Sequence, residues 1–201
     1  MESMPKIVDH DQRRTELVDA TWRIIARHGI EGTTMRQIAA EAGFANGALK
    51  PYFPTKDDLL SFAFGHVFGQ TSKRMLDATK GTTGLVALRA YCLEILPLDD
   101  NRISEARIVI PFWQRALTDP AKAQLHDTAM LEWREALHTC LAQAREAGEI
   151  HTAVPDDDIV GHLMTVVLGA QITAVLSPVE HSPDQLVGQL DGYLRLLASG
   201  E

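Results

Sequence analysis

The 201-residue sequence predicts an all-α protein built in two parts. Three observations lead there. Apolar residues recur at spacings of three and four along most of the chain, the period of a helix with one buried face. No segment alternates apolar and polar residues, and no hairpin turn appears, so strands have no support. Glycine and proline fall where helices stop and start: Gly29, Gly81 and Gly148 at C-terminal ends, Pro120 and Pro183 at first helical positions. An N-terminal three-helix unit at residues 1–54 and a larger helical domain at 55–201 are expected.

The first helix is predicted from Asp11 to His28, with Leu17, Thr21, Ile24, Ile25 and His28 on one face. Thr34 opens a short helix, with Gln37 placed for a capping box, and Gly43 follows it. A third short helix is predicted from Ala45 to Tyr52. Thr55 caps the next, with Asp57 and Asp58 in its first turn, where the helix dipole favours acids. That helix reaches Lys80. Further helices are expected at Thr83–Leu96 and Ile103–Leu117, with a mobile loop at Leu98–Arg102. Asp119–Pro120 opens a long helix to Gly148, Pro155 one to Ser177, and Ser182–Pro183, with Gln185, the last.

Composition excludes several classes of function. Hydrophobic residues make up 45% and charged residues 23%, as in a globular chain and unlike a disordered one. Net charge is 19 − 27 = −8, which argues against generic nucleic-acid binding. The acid excess is uneven, however. Residues 1–60 carry 8 − 9 = −1 and the remainder 11 − 18 = −7, so any DNA contact belongs to the N-terminal part. Cys92 and Cys140 lack metal-ligand spacing, and a reducing, cytoplasmic compartment fits them. The N-terminus has no apolar core of the secretory kind. Ile159–Val179 carries no Asp, Glu, Lys or Arg, but its acidic flanks and its His162 and Gln171 favour a core or interface helix over a membrane span.

The informative segment is Thr33–Phe53. Ala39 and Gly43 are four apart: the small residue allows close helix approach, and glycine accepts the positive φ of a tight turn. Ile38, Ala42, Phe44, Leu49 and Tyr52 fall on a core face, leaving Arg36, Asn46, Gly47, Lys50 and Pro51 outward. Such a helix-turn-helix presents its second helix to the major groove. Together with Gly29, Thr34, Lys56, Leu59 and Leu60, this run resembles the TetR family of transcriptional regulators over residues 13–60. The helix around Trp113, the Ala147–Gly148–Glu149 terminus and the last two helices resemble its BetI-like subgroup. The resemblance implies that Thr34 holds a phosphate, Arg36 reaches a base edge or phosphate, and Asn46 and Gly47 lie against bases. It also places Tyr52 and Lys56 on the DNA backbone. Two sites depart from the family pattern, Ala45 and Lys50–Pro51, which replaces the usual tyrosine and a variable residue; Lys50 can still bind phosphate. Ala45 stands at a cap position, a loss of about 1 kcal/mol. Asn46 then either caps or reads bases. Pro51 lacks an N–H and shortens or distorts the reading helix.

For the larger domain, the resemblance implies a pocket for an apolar or amphipathic small-molecule effector, with Phe112, Trp113, His126, Met130, Trp133 and Gln171 as candidate lining. Plain core packing explains the same residues. Val167, Ala174, Leu190 and Leu194 are expected at a homodimer interface, and a palindromic double-stranded operator follows from twofold symmetry. The helix from Thr55 to Lys80 is expected to couple the two parts. No His or Cys spacing supports a metal, no cofactor motif occurs, and no nucleophile has a local base, so enzymatic chemistry is not expected. The expected protein is a cytoplasmic repressor released from DNA by its effector. The alternative is a helical ligand-binding or adaptor dimer that has lost operator binding, motivated by Ala45, Pro51 and the acidic balance. A steep loss of DNA affinity with salt separates the two.

Overall fold

A computed structural model of the chain describes Leu17, Ala20, Ile24, residues 32–45, Gly47 and residues 49–200. It divides into two compact units, Met1–His66 and Val67–Glu201. All regular structure among the described residues is helical. The division falls later than residue 54 because the early turns of a long helix bury Leu59 in the core of the first unit.

In the first unit, Leu17, Ala20 and Ile24 are helical and buried. Helix α1 is Met35–Glu41. Its N-cap is Thr34, whose hydroxyl accepts from the Gln37 N–H at 3.2 Å, while the Thr34 N–H donates to the Gln37 side chain at 2.8 Å. This is the capping box the sequence predicts. The helix closes in a Schellman arrangement: the Gly43 N–H donates to Ala40 O at 3.1 Å and the Phe44 N–H to Ala39 O at 2.8 Å. Gly43 has φ +72°, the left-handed value that favours glycine. Ile38, Ala39, Leu49, Phe53 and Leu59 join Leu17 and Ile24 in one core. Ala42, Phe44 and Tyr52 pack against it half-buried, as their spacing implies.

The second reading helix departs from the expectation. Gly47 and residues 49–52 lie in successive turns. The Lys50 N–H donates to Gly47 O at 3.2 Å and the Tyr52 N–H to Leu49 O at 2.9 Å, both three-residue closures. Pro51 has no N–H to extend a helical ladder, and Gly47 at φ +90° interrupts a right-handed run.

Helix α2, Lys56–Thr79, starts at a second box, Thr55 with Asp58, with the Asp58 N–H donating to the Thr55 hydroxyl at 3.1 Å. The second unit then comprises α3 (Gly84–Ile95), α4 (Asp100–Ala116), α5 (Pro120–Glu146), α6 (Asp156–Leu176) and α7 (Pro183–Ser199). α5 packs against α3, α4 and α6, while α3 also meets α6 and α7, and α4 meets α6. Residues 100–102 of the segment expected as a loop at 98–102 instead open α4. The Asp99 side chain accepts the Arg102 N–H at 2.9 Å, a cap that starts the helix early. α6 is long and apolar enough to cross a bilayer by length and composition. Here it supplies core residues, among them Leu163, Met164 and Val167.

Two polar features bind the second unit across long sequence distances. Arg74 on α2 donates both terminal nitrogens to the Glu105 carboxylate on α4 at 2.8 Å, and its Nε to Glu94 on α3 at 3.3 Å. Arg102 closes on the same Glu94. Burial opposes the Arg74 charge, but the bonds and charges of Glu105 and Glu94 outweigh it and hold the guanidinium's pKa above its ordinary value. At the start of α3, Glu149 accepts the Leu85 N–H at 2.7 Å, replacing the side-chain cap that Thr83 does not make. Gly84, at φ +60°, leaves room for that carboxylate.

Candidate functional site

The first unit presents its polar face through residues its core cannot use. Thr34, Arg36, Gly47 and Lys50 are exposed, and Tyr52 and Lys56 are half-buried. Asn46 lies outside the described residues. Arg36, Lys50 and Lys56 form no ion pair among the described residues. The Thr34 N–H is occupied by Gln37, so an incoming phosphate there displaces that amide. A Cβ on Gly47 meets nothing within 4 Å, so within the chain glycine is required by its φ rather than by space.

In the second unit, a cavity of about 450 Å³ lies between the later turns of α2, α3 and α5. Met75 and Tyr91 on one side face Trp133 and Cys140 on the other, with Glu132 and Thr139 beside them. Of the six candidate pocket residues, Trp133 lines this cavity. It stacks on Phe68 with ring centroids 5.4 Å apart. Its buried Nε1–H has no acceptor among the described residues. Phe112 and Met130 are buried, and Trp113 meets His126 edge-on at 6.0 Å. Gln171 is buried, and its amide donates to Ile95 O at the end of α3, which makes it a tie between α6 and α3. Burial pushes the thiols of Cys92 and Cys140 up, Cys92 to about 12, which leaves them protonated and unreactive.

Sequence reasoning missed Met75, Tyr91, Glu132 and Thr139. A signal existed on α5, where Glu132, Ala136, Thr139 and Gln143 recur at three- and four-residue steps as a small and polar stripe. The residues expected at a dimer interface need correction. Val167, Ala174, Leu190 and Leu194 are buried inside the single chain and are therefore unavailable to a partner. The outer faces of the same helices carry Ile172, Leu176 and Leu196, exposed at 40%, 75% and 53%. Among the described residues, no group of His, Cys, Asp and Glu converges as a metal site.

Comparison with known proteins identifies the assembly. Residues 17–61 match bacterial regulatory proteins of the tetR family, and residues 86–199 match the C-terminal domain of BetI-type transcriptional repressors. The chain belongs to the TetR family. It is a DNA-binding transcriptional regulator with a BetI-type C-terminal domain. It is 30% identical to the transcriptional regulator PksA of Bacillus subtilis, over 91% of this chain and 88% of that protein. A transcriptional regulator from Rhodococcus sp. RHA1 shares the fold with a TM-score of 0.81 and 28% identity, covering 93% of this chain and 96% of that one. A regulator from Saccharomonospora viridis solved with choline gives a TM-score of 0.84 at 19% identity, covering 92% and 96%. That last likeness bears on the fold alone.

Proposed function

We propose that this TetR-family protein is a homodimeric repressor that holds a palindromic operator and releases it when a small apolar or amphipathic effector binds the helical domain. One observation carries the DNA reading. Arg36, Lys50 and Lys56 stand without ion pairs among the described residues, on the helix-turn-helix unit of a chain whose net charge is −8. Cations left uncommitted in an acidic protein suit an external polyanion. Lys50 and Lys56 bind phosphates as point charges, Tyr52 and Thr34 fix the register, and Arg36 reaches a base edge or phosphate. Gly47 lets the turn approach the base edges, and Asn46, its neighbour in sequence, is assigned a base contact.

Dimerisation uses the outer faces of α6 and α7. Gly169, Ile172 and Leu176 on one, and Gly188, Gly192 and Leu196 on the other, combine exposed apolar side chains with small residues that permit close approach. Two reading heads then meet half-sites about 34–36 Å apart. The Saccharomonospora viridis protein of the same fold holds choline, so this fold can carry a small-molecule ligand. Effector bound against Met75 and Thr79 acts on α2, the helix whose earlier turns place Leu59 in the core of the first unit. Release requires that the effector favour the conformation with weaker operator affinity. The role is one of binding rather than turnover, in the bacterial cytoplasm where the operator lies.

Fluorescence anisotropy on DNA flanking the protein's own gene, beside scrambled DNA at two salt concentrations, tests this reading. Selective binding that weakens steeply with salt is expected. Equal affinity for both DNAs favours the adaptor alternative.

A further inference from the structure

We propose that the last turn of α3 is a latch for α2: its Glu94, together with Glu105 of α4, holds Arg74 and so positions the helix that carries Lys56 to the operator. This rests on the operator-binding reading and names residues, remote from DNA, that tune it.

The way α2 is held carries the inference. Among the described residues, the close helix pairings fall among α3, α4, α5, α6 and α7, and none includes α2. Side chains must therefore reach across to hold its later turns. Phe68 does so by stacking on Trp133. Arg74 does so with a charge. It gives Glu105 both terminal nitrogens at 2.8 Å and Glu94 its Nε at 3.3 Å. The Thr71 hydroxyl accepts a further bond from the same guanidinium at 3.0 Å, which sets its direction on its own helix. Paired bonds from a guanidinium fork hold only while the two planar groups stay aligned, so they fix orientation as well as distance. A rotation or shift of α2 gives up these bonds.

The acceptors are themselves anchored. Glu94 takes a second cation, Arg102, which also pairs with Asp99 at 3.5 Å. Glu94, Arg102 and Glu105 are largely shielded from solvent, so salt screens them weakly. The next residue along α3 is held from another side, because the Ile95 carbonyl accepts from the Gln171 amide of α6. Arg74 thus closes onto a fixed acceptor. At about 100° per residue, it points away from the stripe of Ser72, Met75, Leu76 and Thr79 that faces the cavity. The latch is therefore separate from the cavity lining.

Preorganisation turns this tie into affinity. Lys56 and Leu59 stand in the first turn of the helix whose later turns carry Arg74. With those turns clamped, Lys56 starts from fewer positions and loses less freedom on meeting a phosphate. With the clamp open, part of the population holds Lys56 out of place, and apparent affinity falls by that fraction.

Anisotropy of the full-length protein on DNA flanking its own gene, with hydrogen exchange of α2 beside it, tests the latch. Glu94→Gln leaves the Arg74–Glu105 pair in place and removes one charge, so the fold survives. It is expected to weaken operator affinity about threefold, the scale of one partly exposed ion pair. The slope of log affinity against log salt stays as in wild type, because no phosphate contact is lost. Exchange of amides 67–79 speeds up. Arg74→Lys keeps the charge without the fork and has the same effects. The double variant weakens binding by less than the product of the two, since both open one contact. Arg89→Met breaks the ion pair to Asp191, which does not touch α2, and leaves operator affinity and α2 exchange unchanged. The proposal is overturned if Glu94→Gln binds the operator as wild type does, if Arg89→Met weakens it equally, or if the salt slope falls with affinity. A wild type that does not select its operator fails the regulator reading, and exchange then decides the latch: faster in Glu94→Gln supports it, unchanged overturns it.

Discussion

In the second unit Arg74, Arg89, Arg102 and Arg145 each close on a carboxylate, whereas in the first unit Arg36, Lys50 and Lys56 make no such contact among the described residues. Both units cap helix starts with side chains three residues away, Thr34 with Gln37 and Thr55 with Asp58 in the first, Asp99 with Arg102 and Ser182 with Gln185 in the second. The second adds a cap from across the fold at α3, where Glu149 accepts the Leu85 N–H. The caps of the first unit leave Arg36, Lys50 and Lys56 available to a partner. Long-range ties commit charges internally and leave an apolar cavity with an acidic edge. The division of labour is visible in where each unit places its charges.

The largest expected break in this comparison comes from Arg74→Met. It strands the Glu105 carboxylate, whose side chain is 9% exposed. The cost is about 2 to 3 kcal/mol, below that of a fully buried pair because Arg74 itself is 31% exposed. Urea denaturation checks it; a loss under 0.5 kcal/mol would show that the network is dispensable. Gly84→Ala comes next. The new Cβ collides with Glu149 and strains a left-handed backbone, for about 2 kcal/mol. A thermal melt reads it, and the matched change in the first unit, Gly43→Ala, shows strain without collision and a smaller loss.

A third, smaller effect is one of pH. Burial lowers the pKa of His126, against an opposing push from Asp127. The unfolded chain therefore binds a proton more readily than the folded one. Stability is full above the unfolded value of about 6.5 and declines as pH falls through it toward the folded value. The melting temperature should drop between pH 7.5 and 5.5, by less in His126→Phe; equal drops would remove His126 as the cause.

Much of this architecture was legible in the sequence, and the reasons are local. Thr34 with Gln37, and Gly43 with its positive φ, are short-range chemistry, so a few residues state them completely. The core positions Ile38 and Leu49 follow from period alone. Pro51 announced the distorted reading segment, though not that it would resolve into turns. Tertiary facts were beyond reach. α6 is apolar on all sides, so its pattern cannot say which face meets its own core and which meets a partner. Val167 and Ala174 were misassigned for that reason, and Ile172 and Leu176 overlooked. Gln171 stood out as polar on an apolar helix, but its acceptor, Ile95 O, belongs to another helix. Glu132 drew no notice because one carboxylate on a solvated stretch has no pattern to distinguish it.

The salt dependence of operator affinity in wild type and Lys50→Ala tests the central claim most directly. A phosphate contact from each protomer of a dimer contributes about 0.9 to the slope of log affinity against log salt. Removing Lys50 should therefore reduce the slope by about two, weaken binding across sequences alike, and leave the melting temperature in place. An unchanged slope would contradict the account, because the cations left free on the first unit would then not be the ones that meet DNA.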